Sequence, residues 1–233
     1  MEQFVSYFHN HYGVRHLEEI TTAKAVNDKA RLHSTLNAAH FMIIDSDITK
    51  GPDGRAMCAH WPLTESDLSF DELLTSMTRT RQGLKLDFKD SDIVIECLIK
   101  LGRMELSQPV ILNADILSLE GSPAPDFSGR TFLDAYQTYY PNSLLSVGWR
   151  TTDEPHHPYT SKDVADMLQL VKNARPLTFP IRASLLPASW PQLRALVHED
   201  DRTLTIWNST PISRELRQWL IEYIPADKAF YEL

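Results

Sequence analysis

The sequence predicts a single α/β domain of the (β/α)8, TIM-barrel type, and three observations lead there. The chain has 233 residues, just under the usual size of one such barrel. Eight β-prone runs alternate with seven helix-like stretches along it, and units of that length close most readily as a barrel. Within the β-prone runs an apolar face opposes a polar one, and the polar members gather toward the C-terminal ends, where barrels build their sites.

Residues 1–18 are expected to form an N-terminal segment, a helix packing on the barrel, and residues 19–233 the barrel itself. The first strand is expected at Ile20–Val26 and the first helix at Asp28–Ala39, with Asp28 as its N-cap. Phe41–Ile48 reads as the second strand, followed by a Gly-Pro-Asp-Gly turn at Gly51–Gly54. Ser69–Thr80 reads as a helix opened by a capping box, Ser69 with Glu72 three residues on. Strands at Leu84–Phe88 and Val110–Ile116 flank a helix over Asp90–Met104, capped by Asp90. The later units pair a helix over Gly129–Tyr140 with a strand at Leu144–Trp149, and a helix over Ser161–Ala174, capped by Ser161, with a strand at Leu177–Arg182. A helix over Pro187–His198, a strand at Thr203–Trp207, a helix over Ser213–Tyr223 and a strand at Ala229–Leu233 complete the series, while Pro123–Pro125 and Pro155–Pro158 mark irregular loops.

Composition narrows the function. Hydrophobic residues make up 42% of the chain and charged residues 23%, as in ordinary globular proteins. A net charge of −8 and a pI near 5.6 argue against a broad basic surface, so nonspecific nucleic-acid binding is not expected. Cys58 and Cys97 are too few for a disulfide framework or a zinc cluster and read as buried thiols in a reducing compartment. No basic start with an apolar run marks a signal peptide and no stretch is apolar enough to span a membrane, so a cytoplasmic location is expected. Dinucleotide, P-loop, serine-hydrolase and Cys-x-x-Cys motifs do not occur. His9 and His11 form a His-x-His pair without further ligands, and the acidic run His198–Asp201 reads as a solvated loop.

Chemistry is expected where strand parity concentrates polar groups. Leu84, Leu86 and Phe88 oppose Lys85, Asp87 and Lys89; Val110, Leu112 and Ala114 oppose Ile111, Asn113 and Asp115; Phe179 and Ile181 oppose Thr178 and Arg182; Leu204 and Ile206 oppose Thr205 and Trp207. Asp45 and Asp47, at i and i+2, leave the same face of a very apolar strand. Adjacent buried anions need a countercharge. A hard divalent cation, Mg²⁺ or Ca²⁺, would supply it, with Asp87 as a third oxygen ligand. The competing reading has no metal: Lys85 and Lys89 neutralise the carboxylates as a salt-bridge network.

His60, after the Gly-Pro-Asp-Gly turn, is the candidate acid/base, against a purely structural role. Lys85, Lys89 and Arg182 supply positive charge for a phosphate-containing substrate, Asn113 and Asp115 could orient water, metal or hydroxyls, and Trp149 and Trp207 could form an apolar wall or pack in the core. His156, His157 and Tyr159 lie in a loop expected to face the same mouth.

Taken in order from about Ala23 to the C-terminus, the blocks Ala25-Val-Asn, Ile44-Asp-Ser-Asp-Ile, Ala59-His, Gly83-Leu-Lys-Leu-Asp-Phe-Lys, Leu112-Asn-Ala-Asp-Ile, Ser146-Val-Gly-Trp, Thr178-Phe-Pro-Ile-Arg-Ala and Leu204-Thr-Ile-Trp resemble the menorin family. The resemblance implies a barrel similar to glycerophosphodiester phosphodiesterases and phospholipase-C-like enzymes, in which a Glu-x-Asp pair and a third acid bind metal and two histidines handle protons. It implies that Asp45 and Asp47 fill the first pair, that Asp87 is the third ligand, that Lys89 is the neighbouring cation and that His60 is the second histidine. It further implies an internal substrate hydroxyl as nucleophile and a cyclic phosphate product. Two positions depart from the pattern: Asp45 stands where a Glu is usual, and Lys24 stands where the first histidine would be. A lysine does not shuttle protons at neutral pH unless its pKa is strongly depressed, though it can stabilise phosphate charge. Family members also act as extracellular ligands, which implies that some use the barrel for binding. Two functions are therefore expected to compete: a metal-dependent phosphodiesterase-like hydrolase, or a catalytically silent barrel that binds a small anion or a protein partner.

Overall fold

The computed structural model describes residues 1–125, 127–151 and 157–233. In chain order the elements are α1 (Glu2–Tyr12), β1 (Thr22–Ala23), α2 (Lys29–Leu36), β2 (Ile43–Lys50), β3 (Ala56–Cys58), α3 (Phe70–Met77), β4 (Gly83–Phe88), α4 (Val94–Gly102), β5 (Val110–Ser118), α5 (Gly129–Tyr139), β6 (Leu144–Arg150), α6 (Ser161–Leu170), β7 (Leu177–Arg182), α7 (Leu186–Leu193), β8 (Arg202–Trp207), α8 (Arg214–Tyr223) and β9 (Ala229–Glu232). The strand order is β1-β2-β4-β5-β6-β7-β8-β9, with β3 paired to β2. Strand and helix alternate in the (β/α)8 manner that the sequence predicts. The chain divides into two compact units, one of Thr21–Ala114 and Asp126–Leu144, the other of Met1–Ile20, Asp115–Pro125 and Leu145–Leu233.

In the first unit β1, β2, β4 and the start of β5 run parallel, and the β2–β4 register sets Asp45 opposite Lys85 and Asp47 opposite Asp87. The whole of β2 from Ile43 to Thr49 is buried, so both faces of this strand are covered. Leu73, Leu74 and Met77 of α3 and Cys97, Leu98 and Leu101 of α4 are also buried, each set recurring at helical spacing and fixing which face of its helix turns inward. Asp28 caps α2 and the Ser69–Glu72 capping box opens α3, as expected. Asp90 caps a 3-10 turn over Ser91–Ile93 that leads into α4. The sequence reading missed β3, an antiparallel partner of the end of β2 that is reached through the Gly51–Gly54 turn. Three residues are too few for periodicity to register. Gly54 takes φ 81° in that turn, a conformation costly for other residues.

In the second unit β6, β7, β8 and β9 are parallel neighbours. At the N-terminus α1 buries Phe4 and Phe8, and the Phe4 ring meets Phe230 of β9 edge-on at 5.4 Å. The cap of α6 is Thr160 rather than Ser161. Thr160 has extended backbone and its hydroxyl accepts from the Asp163 amide, while the Asp163 carboxylate accepts from the Thr160 amide, which leaves Ser161 as the first helical residue. The expected Pro187–His198 helix is instead α7 between two 3-10 turns, Ala183–Leu185 and Arg194–Val197, with Pro191 inside α7. A proline there withholds one backbone donor, which favours such short segments.

Candidate functional site

The first unit sets Asp45 and Asp47 of β2 opposite Lys85 and Asp87 of β4 in register. Lys85 Nζ lies 3.3 Å from Asp45 Oδ2, and the two side chains are only 6% and 10% exposed. Lys89, immediately after β4, places its Nζ 2.7 Å from Asp87 Oδ2 and 3.3 Å from Asp47 Oδ1. Two amides hold the other oxygen of each of these acids: Asn27 Nδ2 donates to Asp47 Oδ2 at 2.8 Å, and Asn113 Nδ2 donates to Asp87 Oδ1 at 2.8 Å. Asp47 and Asp87 therefore converge, and the point on which they converge holds the Lys89 ammonium, while Asp45 pairs with Lys85.

Burial pushes the Asp87 carboxyl upward, but the Lys89 and Lys85 ammoniums and the Asn113 hydrogen bond outweigh it and hold the group below the ordinary carboxylate range. Asp87 is thus an anion at neutral pH. The buried thiol of Cys58, on β3, is pushed up to about 12 by desolvation, and burial likewise raises Cys97. Both cysteines are free and buried, which fits the structural role expected of them.

Asn27 is the residue the sequence reading left out of the site. Besides holding Asp47 Oδ2, its Oδ1 accepts from the Asp47 amide at 3.0 Å and from the Ser46 hydroxyl at 3.3 Å, and its carbonyl accepts from the Ser66 hydroxyl. It joins the loop after β1 to the acidic stretch of β2 and to the loop after β3. Its sequence signals were its place in the Ala25-Val-Asn block and just before the Asp28 cap.

Lys24 is half-buried in the loop after β1. Its carbonyl accepts two hydrogen bonds from Arg31, at 3.0 and 2.7 Å, and the next residue, Ala25, has φ 52°. That left-handed conformation is uncommon for alanine, so the forked guanidinium and the hydrogen bond from the Val26 amide to the Asp45 carbonyl, 2.8 Å, hold the turn in place. His60 is exposed, and its Nδ1 lies 2.6 Å from the Trp61 carbonyl. Nδ1 is therefore the donor, which leaves Nε2 as the nitrogen able to accept a proton.

The donor set is all oxygen, three carboxylates with the amides of Asn27 and Asn113 beside them, and this is the ligand chemistry of Mg²⁺ and Ca²⁺. It fits a hard divalent cation in kind. Among the described residues, however, no three His, Cys, Asp or Glu side chains stand as a group ready to hold a metal. The oxygens rest on the two ammoniums, the salt-bridge arrangement that the sequence reading set against the metal.

The second unit presents its own strand ends. Asp115 shares the face of Asn113 by parity, and its Oδ1 would lie 2.9 Å from a β-carbon at Gly148, with Pro180 Cγ at 2.6 Å. Only glycine fits between them. Arg182 is buried, donates to the Ser209 hydroxyl at 2.6 Å and sets its guanidinium carbon 5.1 Å from the centre of the Trp207 ring, its neighbour in register. The hydroxyls of Thr178 and Thr205 pair at 2.9 Å on the same face.

Of the two roles open to Trp149, an apolar wall of the site or the core, it takes the core. It shares parity with Leu145 and Val147, opposite Ser146 and Gly148, and is buried edge-on against Tyr159 at 5.2 Å with no acceptor for its indole N–H among the described residues. Trp149 and Tyr159 are core, and burial raises the Tyr159 phenol well above its ordinary range. His157 is exposed, and His156 falls outside the described residues. No helix among the described residues is long and apolar enough to cross a membrane.

Comparison with known proteins adds three findings. The family described as the Menorin N-terminal domain matches residues 16–233. Protein FAM151B of Homo sapiens is 31% identical over 228 residues, covering 92% of this chain and 82% of the human protein. A solved structure of 2,3-dimethylmalate lyase, a PEP mutase/isocitrate lyase superfamily member, superimposes with a TM-score of 0.52 over 92% of this chain and 76% of the lyase. At 10% identity that likeness concerns the fold alone.

Proposed function

The chain belongs to the menorin family, and on that premise we propose that it is a phosphodiesterase-like hydrolase whose Asp45, Asp47 and Asp87 hold a divalent cation, Mg²⁺ or Ca²⁺, and whose substrate is a phosphate diester. The observation that carries the reading is the aim of Asp47 and Asp87, register partners on adjacent parallel strands, at one shared point where the Lys89 ammonium stands. When bound, the cation would polarise a phosphoryl oxygen and offset the charge that builds on it. Lys89 and Lys24 supply the positive charge that holds the phosphate. His60 takes the proton of the attacking hydroxyl on Nε2 as the new O–P bond forms and the bond to the leaving oxygen breaks. The leaving oxygen is protonated from water, and when the attacking hydroxyl is internal to the substrate the product is a cyclic phosphate. Asn27 and Asn113 keep the two carboxylates in their orientation throughout.

A second reading has its own observations. Lys85 and Lys89 already neutralise the carboxylates, and the family resemblance implies that Lys24 stands where a proton-carrying histidine would be. A barrel so arranged could bind an anion, or a protein partner, without turnover. Assays of the purified chain on glycerophosphodiesters, phospholipids and nucleotide phosphodiesters with Mg²⁺ or Ca²⁺ decide between the two. Cleavage that disappears in Asp45→Asn and Asp87→Asn supports the hydrolase. Absence of both turnover and divalent-cation binding removes it, and activity that arises only in Lys24→His supports the silent reading.

A further inference from the structure

Resting on the metal reading above, we infer that the Lys89 ammonium is the resident counter-cation of the Asp47–Asp87 pair, and that a divalent cation and a phosphate enter this site cooperatively because Lys89 must change partner from carboxylate to phosphate. The two asparagines each hold one oxygen, Asp47 Oδ2 and Asp87 Oδ1, and direct the remaining oxygens, Asp47 Oδ1 and Asp87 Oδ2, at the Lys89 Nζ. Those are the oxygens a cation would need from these two acids. An ammonium and a divalent ion cannot share them, since like charges at contact distance in a partly buried site repel strongly.

The lysines differ in their freedom to leave. The Lys85 side chain is 6% exposed and sits on a carboxylate equally sheltered from water, whereas the Lys89 side chain is 24% exposed. Lys89 can withdraw toward solvent, while Lys85 stays as a fixed charge on Asp45. Three carboxylates against two ammoniums leave a single negative charge, a poor reward for dehydrating a divalent ion. With Lys89 displaced, the site gains its missing negative charge and an ammonium is released beside it. A phosphate is the natural partner for that ammonium. The cation thus creates the anion's contact, and reciprocity requires the anion to strengthen the cation by the same factor.

Isothermal titration of the full chain with Mg²⁺, with inorganic phosphate, and with each in the presence of the other tests the coupling. Inorganic phosphate is expected to strengthen Mg²⁺ binding by about tenfold or more, and Mg²⁺ to strengthen phosphate binding equally. Lys89→Met, or Lys89→Gln should the methionine variant fail to fold, is expected to bind Mg²⁺ alone about tenfold more tightly than the native chain and to lose the phosphate effect. Lys50→Met, which breaks the exposed Lys50–Asp92 pair, is expected to titrate as the native chain does. Mg²⁺ binding that is unchanged or weaker in the Lys89 variants, or indifferent to phosphate in the native chain, overturns the inference and leaves the metal reading standing. If neither the native chain nor the Lys89 variants bind Mg²⁺, both fall.

Discussion

The strand ends of the two units bury charge by different means. On β2 and β4, acids and lysines neutralise one another in a network where each side chain has at least one charged neighbour. On β7 and β8, the Arg182 guanidinium rests on the face of Trp207 and donates to the hydroxyl of Ser209. Members of the first set depend on one another, because removing one leaves an opposite charge exposed to a low-dielectric surrounding. The Trp207 and Ser209 contacts are graded, since neither partner is left as a bare ion when Arg182 goes. The acid–lysine region should therefore respond sharply to single substitutions, and the Trp207 and Ser209 contacts mildly.

Stability measurements can break or sharpen that contrast, and the largest effect belongs to the deepest pair. Asp45→Ala is expected to lower the unfolding free energy by about 3 kcal/mol or more, read from urea midpoints, because the buried Lys85 ammonium loses the carboxylate 3.3 Å from it. The double variant Asp45→Ala, Lys85→Met is expected to recover much of that loss. Equal loss in the single and double variants would show that the pair is not the source.

Next in size is Ser209→Ala, expected to cost about 1–2 kcal/mol through the lost hydroxyl bond to the Arg182 guanidinium. A loss as large as that of Asp45→Ala would erase the distinction between the regions.

A smaller effect is expected in acid. The folded-state pKa of Asp87 lies below its unfolded value, so its contribution is fully present above the ordinary carboxylate range and is lost as pH falls through the depressed folded value. Asp87→Asn should flatten that part of the stability curve when both proteins are unfolded by urea between neutral pH and strong acid. An unchanged acid slope would mean that Asp87 is not held in its charged form.

The smallest change in stability belongs to His60→Ala, expected within about 0.5 kcal/mol because the side chain is exposed. If His60 moves the proton, the same variant should cleave a diester about a hundredfold more slowly or worse. A phosphodiesterase rate unmoved by the substitution would leave His60 a surface residue.

Much of the fold was legible because its signals are local. Seven of the eight expected strands, and the caps Asp28, Ser69 and Asp90, coincide with the structure to within a few residues, while the first shrinks to Thr22–Ala23. Thr160 took the capping place of Ser161 because its backbone is the extended one, which neighbouring hydroxyl residues do not disclose in sequence. β3 escaped because its strand character comes from pairing with β2. In the site, parity put Asp45, Asp47, Lys85, Asp87 and Asn113 on shared faces. Asn27 was missed because its three side-chain hydrogen bonds reach β2 from a different segment. Trp149 was placed at the mouth by its position at a strand end, although its parity with Leu145 and Val147 pointed to the core.

What the sequence by itself determined is which side chains share a face, since alternation along an extended chain is a covalent property of the backbone. What only the tertiary structure decided is which charge meets which. The parallel register sets Asp45 against Lys85 and Asp47 against Asp87, and that alignment is fixed by packing between strands distant in the chain, so strand parity offered the lysine network and the metal as alternatives without saying which lysine meets which acid.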